Sequence, residues 1–318
     1  MARHVTVSTI AADLVWIERA GKRASQAAVD QMIAYWREQL EHVLPDRPDL
    51  IVLPECCDAY PALSAEESSA YYAARGDQIL DFFAETARRN RCYIAYSALR
   101  QDDRGRWFNS TRILDRTGRV AGLYDKNNPT PDEIEERGIV PGTEASVIAC
   151  DFGRVACAIC FDLHFDELRQ RYAEARPAPD LILFASMFHG GFMQRYWAYS
   201  CRAHFVAALH VKHPSPILSP IGEELASTTL VHFNHATATL NLDCRVVHFD
   251  NHRGPILRMK EKYGRGIRVR DTDNGFLDSV LISSEMEAVS VDEALAEFGI
   301  EPWDAVLERH RVRRTSPR

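Results

Sequence analysis

Short apolar runs alternating with amphipathic stretches constrain this chain most. HVTVSTIA at 4–11, DLIVLP ending at Pro54, CYIAYSAL and DLILFAS read as strands, several apolar enough to be buried on both faces. Between them, ASQAAVDQMIAYWREQLEHV at 24–43 and GDQILDFFAETARRN at 76–90 carry apolar residues at helical spacing, and LRQRYAEA and FMQRYWAYSCRAHF read as further helices. WFNSTRILD and RVAGLYDK form a hairpin around the turn residues of DRTGR, and SVIACDFGRVACAICF reads as two strands joined at Asp151 to Gly153. HFVAALHV, ELASTTLVHF and TATLNLD complete the strands. The alternation continues to about residue 250 without a Ser-rich or Gly-rich linker, so residues 1–250 are expected to form one α/β domain. Residues 251–318 read as a C-terminal extension of charged turns with a short helix near VDEALAEF, packing on the body or on a partner subunit. No internal repeat or low-complexity tract is present.

Charge and composition remove several classes of function. The 38 basic and 45 acidic residues leave a net charge of -7, and only the final RHRVRRTSPR is locally basic. A nucleic-acid protein normally presents a broad cationic surface, so no nucleic-acid partner is expected. Every apolar run falls far short of the roughly 20 residues that cross a bilayer, and the N-terminus lacks the pattern of a secretory signal. Eight cysteines, mostly inside apolar runs, then read as reduced thiols in a cytoplasmic protein.

Three polar residues stand where apolar strands end: Glu55 after DLIVLP, Lys126 after RVAGLYD, and Cys160 after RVACAI. Taken singly each has a plain structural reading, as a turn carboxylate, a solvated loop charge and a buried inert thiol. A rigid sheet can nevertheless present side chains from strand ends into one cleft, and the three types together are those needed for thiol-based acyl transfer. The CAIC at 157–160 is also a CxxC, but residues three apart on a strand face opposite ways. No second CxxC or HExxH accompanies it, so no metal site and no cofactor are expected.

At these residues the chain resembles the nitrilase superfamily of carbon-nitrogen hydrolases. LIVLPE is similar to that family's first signature, YDKNNPTPDE to its second, and GRVACAICFDLHFDELRQ followed by DLILFAS to its third, in the family's order of Glu, Lys and Cys. The resemblance covers about residues 4–250. It implies a four-layer αββα sandwich, a homodimer or higher homo-oligomer, and catalysis with Cys160 as nucleophile, Glu55 as general base and Lys126 beside the developing oxyanion. It also implies an auxiliary carboxylate at Glu133, with Glu135 and Glu136 as rivals, and places Phe161, His164, His189 and His204 near pocket regions. Cys56 and Cys57 follow the proposed base and read as core or pocket wall.

The implied reaction is hydrolysis of a small amide through a cysteine thioester, releasing ammonia or an amine. Phe161 and Asp162 after the nucleophile resemble the amidase and carbamoylase branches, whereas the Pro-Thr after Lys126 is frequent among nitrilases. A nitrile substrate is therefore the alternative. Leu163-His164 stands where carbamoylases of amino-acid derivatives carry an arginine pair, which disfavours a carboxylate-bearing carbamoyl substrate. A catalytically idle assembly subunit is the remaining reading.

Overall fold

The computed structural model describes residues 1–12, 26–61, 63–210, 212–249, 252–272 and 277–315. In chain order, β1 (His4–Ile10) is followed by α1 (Gln26–Glu41), β2 (Leu50–Val52), α2 (Ala65–Arg75), α3 (Gln78–Asn90), β3 (Tyr93–Gln101), β4 (Trp107–Leu114), β5 (Val120–Asp125) and α4 (Pro131–Glu135). Then come β6 (Val147–Ala149), β7 (Arg154–Ile159), α5 (Asp166–Glu174), β8 (Leu181–Ser186), α6 (Met193–Cys201), β9 (His204–Leu209), β10 (Pro216–Leu218), β11 (Glu224–Ser227) and β12 (His235–Asn241). The remainder contains β13 (Cys244–His248), α7 (Arg253–Tyr263), β14 (Ile267–Arg270), β15 (Ser279–Ser284), α8 (Val291–Glu297) and α9 (Trp303–Thr315).

These strands form two six-stranded sheets, ordered β12-β1-β2-β3-β4-β5 and β11-β10-β9-β8-β7-β6, and a smaller sheet ordered β13-β15-β14. The period-two pattern of the strands sorts their side chains between two cores. From β2, Leu50 and Val52 enter the core between the large sheets, whereas Ile51 and the following Leu53 enter the core under α1 and α3. Trp36 and Phe83 fill that outer core, while Tyr172 of α5 and Trp197 of α6 cover the second sheet. The layers are helix, sheet, sheet, helix: the αββα sandwich. The hydrophobic content of each central strand is explained by burial on both faces.

Strand direction brings the polar residues to one end. Strands β1, β2 and β3 are parallel, β4 and β5 return antiparallel, and β7, β8 and β9 are parallel. The carboxyl ends of β1 and β9 meet in a parallel bridge between Ala12 and His210, so the two sheets present their carboxyl ends together.

Several local expectations change. The helix placed at 76–90 starts at Gln78 and is preceded by α2, whose N-terminus is closed by a capping box between Ser64 and Glu67. Residues 24 and 25 of the first expected helix lie outside the described residues. ELASTTLVHF is a strand only over Glu224–Ser227, because the Thr229 hydroxyl accepts the N–H groups of His232 and Phe233 and turns the backbone. FMQRYWAYSCRAHF is helical only to Cys201, where Arg202 takes a left-handed conformation and His204 begins β9. The described residues after 250 hold two β-strands, three α-helices and a short 3-10 turn rather than turns and one helix, and their sheet recruits β13 from before that point.

Candidate active site

Glu55, Lys126 and Cys160 follow β2, β5 and β7 by no more than three residues, so each is placed by a strand whose interior is locked in the core. Lys126 is 1% exposed and Glu55 3%. Burying such groups is costly unless they are paired, and here they are. Lys126 Nζ donates to Glu55 Oε1 at 2.9 Å and to Glu133 Oε2 at 2.7 Å. Asn109 on β4 donates through Nδ2 to Glu55 Oε1 (2.8 Å) and Glu133 Oε1 (2.9 Å). The Met187 N–H, just past β8, donates to Glu55 Oε2 at 3.1 Å.

The position of Glu133 follows from local sequence. Thr130 caps α4, accepting the Glu133 N–H on its hydroxyl, while Glu133 Oε2 accepts the Thr130 N–H at 2.8 Å. This reciprocal cap turns the carboxylate back toward Lys126, whereas Glu135 and Glu136 are exposed.

Cys160 occupies a sharp strand-to-turn junction. Its φ of 48° lies in the left-handed region, which costs a side-chain-bearing residue about 1–2 kcal/mol. The turn is tied down by Asp162, fully buried, whose Oδ2 accepts from Tyr124 Oη and the Ile159 N–H and whose Oδ1 accepts from the backbone and side chain of Asn128. Asp162 thereby joins the Cys160 turn to the loop that follows Lys126. The half-buried thiol lies near Ser186, Glu55 and Lys126, all of which bear on its titration.

Electrostatics follow from this packing. Burial and the adjacent Glu55 charge push the Cys160 thiol up to about 12, only partly opposed by Lys126. Burial alone would lower Lys126, but Glu55, Cys160 and Glu133 outweigh it and hold the ammonium above its ordinary value. Burial likewise raises Glu133, yet Lys126 and the hydrogen bonds from Thr130 and Asn109 bring it below the usual carboxylate range. The cluster holds a fixed cation, two carboxylates and a neutral thiol.

The other sequence candidates divide. Phe161 packs edge-on against His164, and exposed His164 stacks on Phe188 with ring centroids 5.2 Å apart. His189 is half-buried; its Nδ1 accepts the Gly191 N–H, and burial beside His213 lowers its pKa. His204 lies at the opposite end of β9 from the carboxyl ends that carry the cluster, buried beside Arg270. Cys57 belongs to the core under the helices, whereas buried Cys56 feels Glu55, Lys126 and Glu133. Cys157 is sealed in the core and unpaired, like Cys160. Sequence reasoning missed Asn109, Ser186, the Met187 N–H and the anchoring role of Asp162. Among the described residues, no group of His, Cys, Asp and Glu is arranged to hold a metal ion, and no helix is long and apolar enough to cross a membrane.

Residues 23–211 match the family model described as carbon-nitrogen hydrolase. The chain belongs to that family. This carbon-nitrogen hydrolase is 26% identical over 133 residues to the omega-amidase of Danio rerio, a stretch covering 39% of this chain and 47% of the relative. The matched stretches span only 40 to 47% of the lengths of the first curated relatives. Among solved structures, the carbon-nitrogen hydrolase from Helicobacter pylori superposes with a TM-score of 0.63 at 14% identity, over 87% of this chain and 98% of the other. An amidase from Nesterenkonia sp. gives 0.60 at 17%, over 76% and 92%. At those identities the superpositions carry the fold alone.

Proposed function

We propose that this hydrolase cleaves a small, uncharged carboxamide through a thioester on Cys160, releasing ammonia or an amine. One observation supports the reading: a neutral thiol stands near enough to Glu55 for that carboxylate to raise it, and Glu55 is itself held by Lys126 in a buried cluster. A thiol pushed up to about 12 is not a preformed thiolate, so its proton must leave as the sulfur attacks. Glu55 accepts that proton. The carbonyl oxygen becomes an oxyanion, met by the remaining Nζ–H of Lys126 and by the backbone N–H of Phe161. Protonated Glu55 returns the proton to the departing nitrogen, leaving a thioester. Water then attacks with Glu55 again as base, and the carboxylic acid and the thiol are released. Glu133 keeps Lys126 charged and oriented.

The relatives support this reading without deciding it. A Glu-to-Gln mutant of the Nesterenkonia amidase shows covalent addition of the acetamide moiety of fluoroacetamide at its active-site cysteine. Exposed His164, stacked on Phe188, offers no guanidinium fork for a substrate carboxylate, which favours an uncharged amide over an N-carbamoyl acid. We also infer a reducing, cytoplasmic setting from the eight unpaired cysteines, and a homo-oligomer from exposed Phe192, Leu230, Val231 and Phe233, which light scattering tests.

The test is ammonia release from paired primary amides and nitriles. Amide turnover that vanishes in Cys160→Ala, with an acyl adduct on Cys160 by mass spectrometry in the parent, is the expected result. Dominant nitrile turnover, or amide turnover that survives the substitution, overturns the proposal.

A further inference from the structure

A carboxylate has about four acceptor positions, and how they are filled decides where a proton can go. Glu55 Oε1 accepts from both Lys126 Nζ and Asn109 Nδ2, which uses its two lone pairs. Among the described residues Glu55 Oε2 accepts only the Met187 N–H and so retains a free lone pair, and Glu55 is near enough to Cys160 for its charge to raise the thiol. Asn109 is fully buried in β4, paired in register with Leu99 of β3, and its carbonyl oxygen accepts the Lys126 N–H at 2.8 Å. Its amide cannot be reversed, because Oδ1 would then face two carboxylate oxygens. Both Nδ2 hydrogens are therefore spent, one on Glu55 and one on Glu133, and Oδ1 is left buried without a hydrogen-bond partner.

We propose that Asn109 is a positioning residue: it occupies Glu55 Oε1, braces Glu133, and so confines proton exchange with Cys160 to Glu55 Oε2. This rests on the amidase reading and adds to it a residue that touches neither substrate nor thiol. The uncharged amide suits the task. A second cation there would compete with Lys126 for the carboxylates, and an acid would place a third negative charge in the cluster. A polar atom left unsatisfied in a closed interior is costly, and it is retained here with an amide whose two donors bridge the two carboxylates.

The step it governs is a proton shuttle with no net transfer. The Cys160 Sγ–H bond breaks as an Oε2–H bond forms on Glu55, and the same proton later passes to the departing nitrogen. Without the brace, Oε1 gains a vacant lone pair, the proton divides between two oxygens, and the carboxylate rotates away from the sulfur. Removing a neutral donor from a carboxylate also makes it easier to protonate, so the acid side of the pH profile moves upward.

The experiment compares the parent with Asn109→Leu, which has nearly the same shape and no donor, and with Asn109→Ser, which keeps one donor and covers a leucine variant that does not fold. Two readouts are taken across pH 5 to 9: steady-state amide hydrolysis, and iodoacetamide alkylation of Cys160 followed by mass spectrometry with half-buried Cys150 as the internal reference. The expected result is a kcat lowered about a hundredfold in Asn109→Leu with KM within about threefold, and a smaller loss in Asn109→Ser. The acid limb of both activity and Cys160 alkylation moves up by about one pH unit. A folded variant whose Cys160 profile does not move, or whose kcat falls no further than its KM rises, overturns the assignment of Asn109 alone. If parent Cys160 reacts no faster than Cys150, the amidase reading fails, and this proposal with it.

Discussion

Replacing Lys126 with methionine keeps an unbranched side chain one atom shorter and removes the one charge that reconciles Glu55 with Glu133. The ammonium lies 2.9 Å from Glu55 Oε1 and 2.7 Å from Glu133 Oε2, and the three side chains are 1%, 4% and 13% exposed. At an effective dielectric of about 20, each contact carries roughly 6 kcal/mol of gross attraction, most of it offset by taking the ions out of water. Breaking such a pair leaves uncompensated buried charge and typically costs about 3–5 kcal/mol. That loss is expected at pH 7.5, and it should depend on pH. In the parent, Glu133 is held below its ordinary value, so its contribution is present above the unfolded carboxylate range and fades as pH falls through the folded value. In Lys126→Met, burial and the neighbouring carboxylate are opposed only by the hydrogen bonds from Thr130 and Asn109 and raise the folded value above the unfolded one. The variant is then penalised most at neutral pH and recovers as the carboxyl takes a proton. The parent's own loss begins only below the ordinary carboxylate value of 4.5, so the variant's recovery alone narrows the gap from pH 7.5 to pH 5. Urea unfolding at the two pH values measures it through the shift in midpoint at constant slope. A destabilisation below about 1 kcal/mol, or one equal at both pH values, would refute the paired-charge account of the site.

Two further substitutions probe the site's support and a distant titration. A Cβ on Gly142 would sit well inside contact distance of the Asp125 carbonyl oxygen and 2.8 Å from its carbon, and Gly142 N–H donates to the Lys126 carbonyl, so Gly142→Ala should displace Lys126 itself. A loss of about 1–3 kcal/mol in stability and a kcat reduced more than KM is rising are expected, while unchanged melting and turnover would contradict the contact. His204 is lowered to about 4 by burial and by Arg270, so the unfolded chain takes up a proton near 6.5 that the folded chain refuses. Stability is consequently lost as pH falls from about 6.5 toward 4, and between pH 7 and 5 the parent should lose about 2 kcal/mol more than His204→Gln. Parallel pH dependences in the two proteins would sink that account.

The three central residues were legible because each terminates a run whose interior is apolar, and strand ends are where a rigid sheet can hold a polar group. Choosing Glu133 over Glu135 and Glu136 was also within reach of the sequence. Thr130 and Glu133 form an S/T-x-x-E/Q capping signature, the same pattern that Ser64 and Glu67 use to start the unexpected α2. Asn109 was not legible in this way. In WFNSTRIL it is one polar residue among four, and its use depends on β4 lying between β3 and β5 in the same sheet as β2, a relation set by strand pairing. The same cause hid the C-terminal sheet. IRVR alternates apolar and charged residues over only four positions inside the stretch expected to hold charged turns, and it becomes a strand by pairing with β15, which also pairs with CRVVH.

Counting charge in the buried cluster ties the chemistry to the packing. Lys126 contributes one positive charge and Glu55 and Glu133 two negative charges, so the cluster carries a net charge of about -1 with the thiol neutral. Ionising Cys160 into solvent would leave a second excess negative charge in a dry site, which is why burial and Glu55 push the thiol up to about 12. Passing the proton to Glu55 leaves the total unchanged. Attack on the carbonyl then moves the negative charge from sulfur to the substrate oxygen beside Lys126, again without changing the total. Each proposed step relocates charge among fixed donors instead of importing or expelling it, so the enzyme pays little reorganisation for a reaction that in water would require solvent to follow every step. An amide carbonyl fits this arrangement because the only charge its turnover creates appears next to the cation already in place.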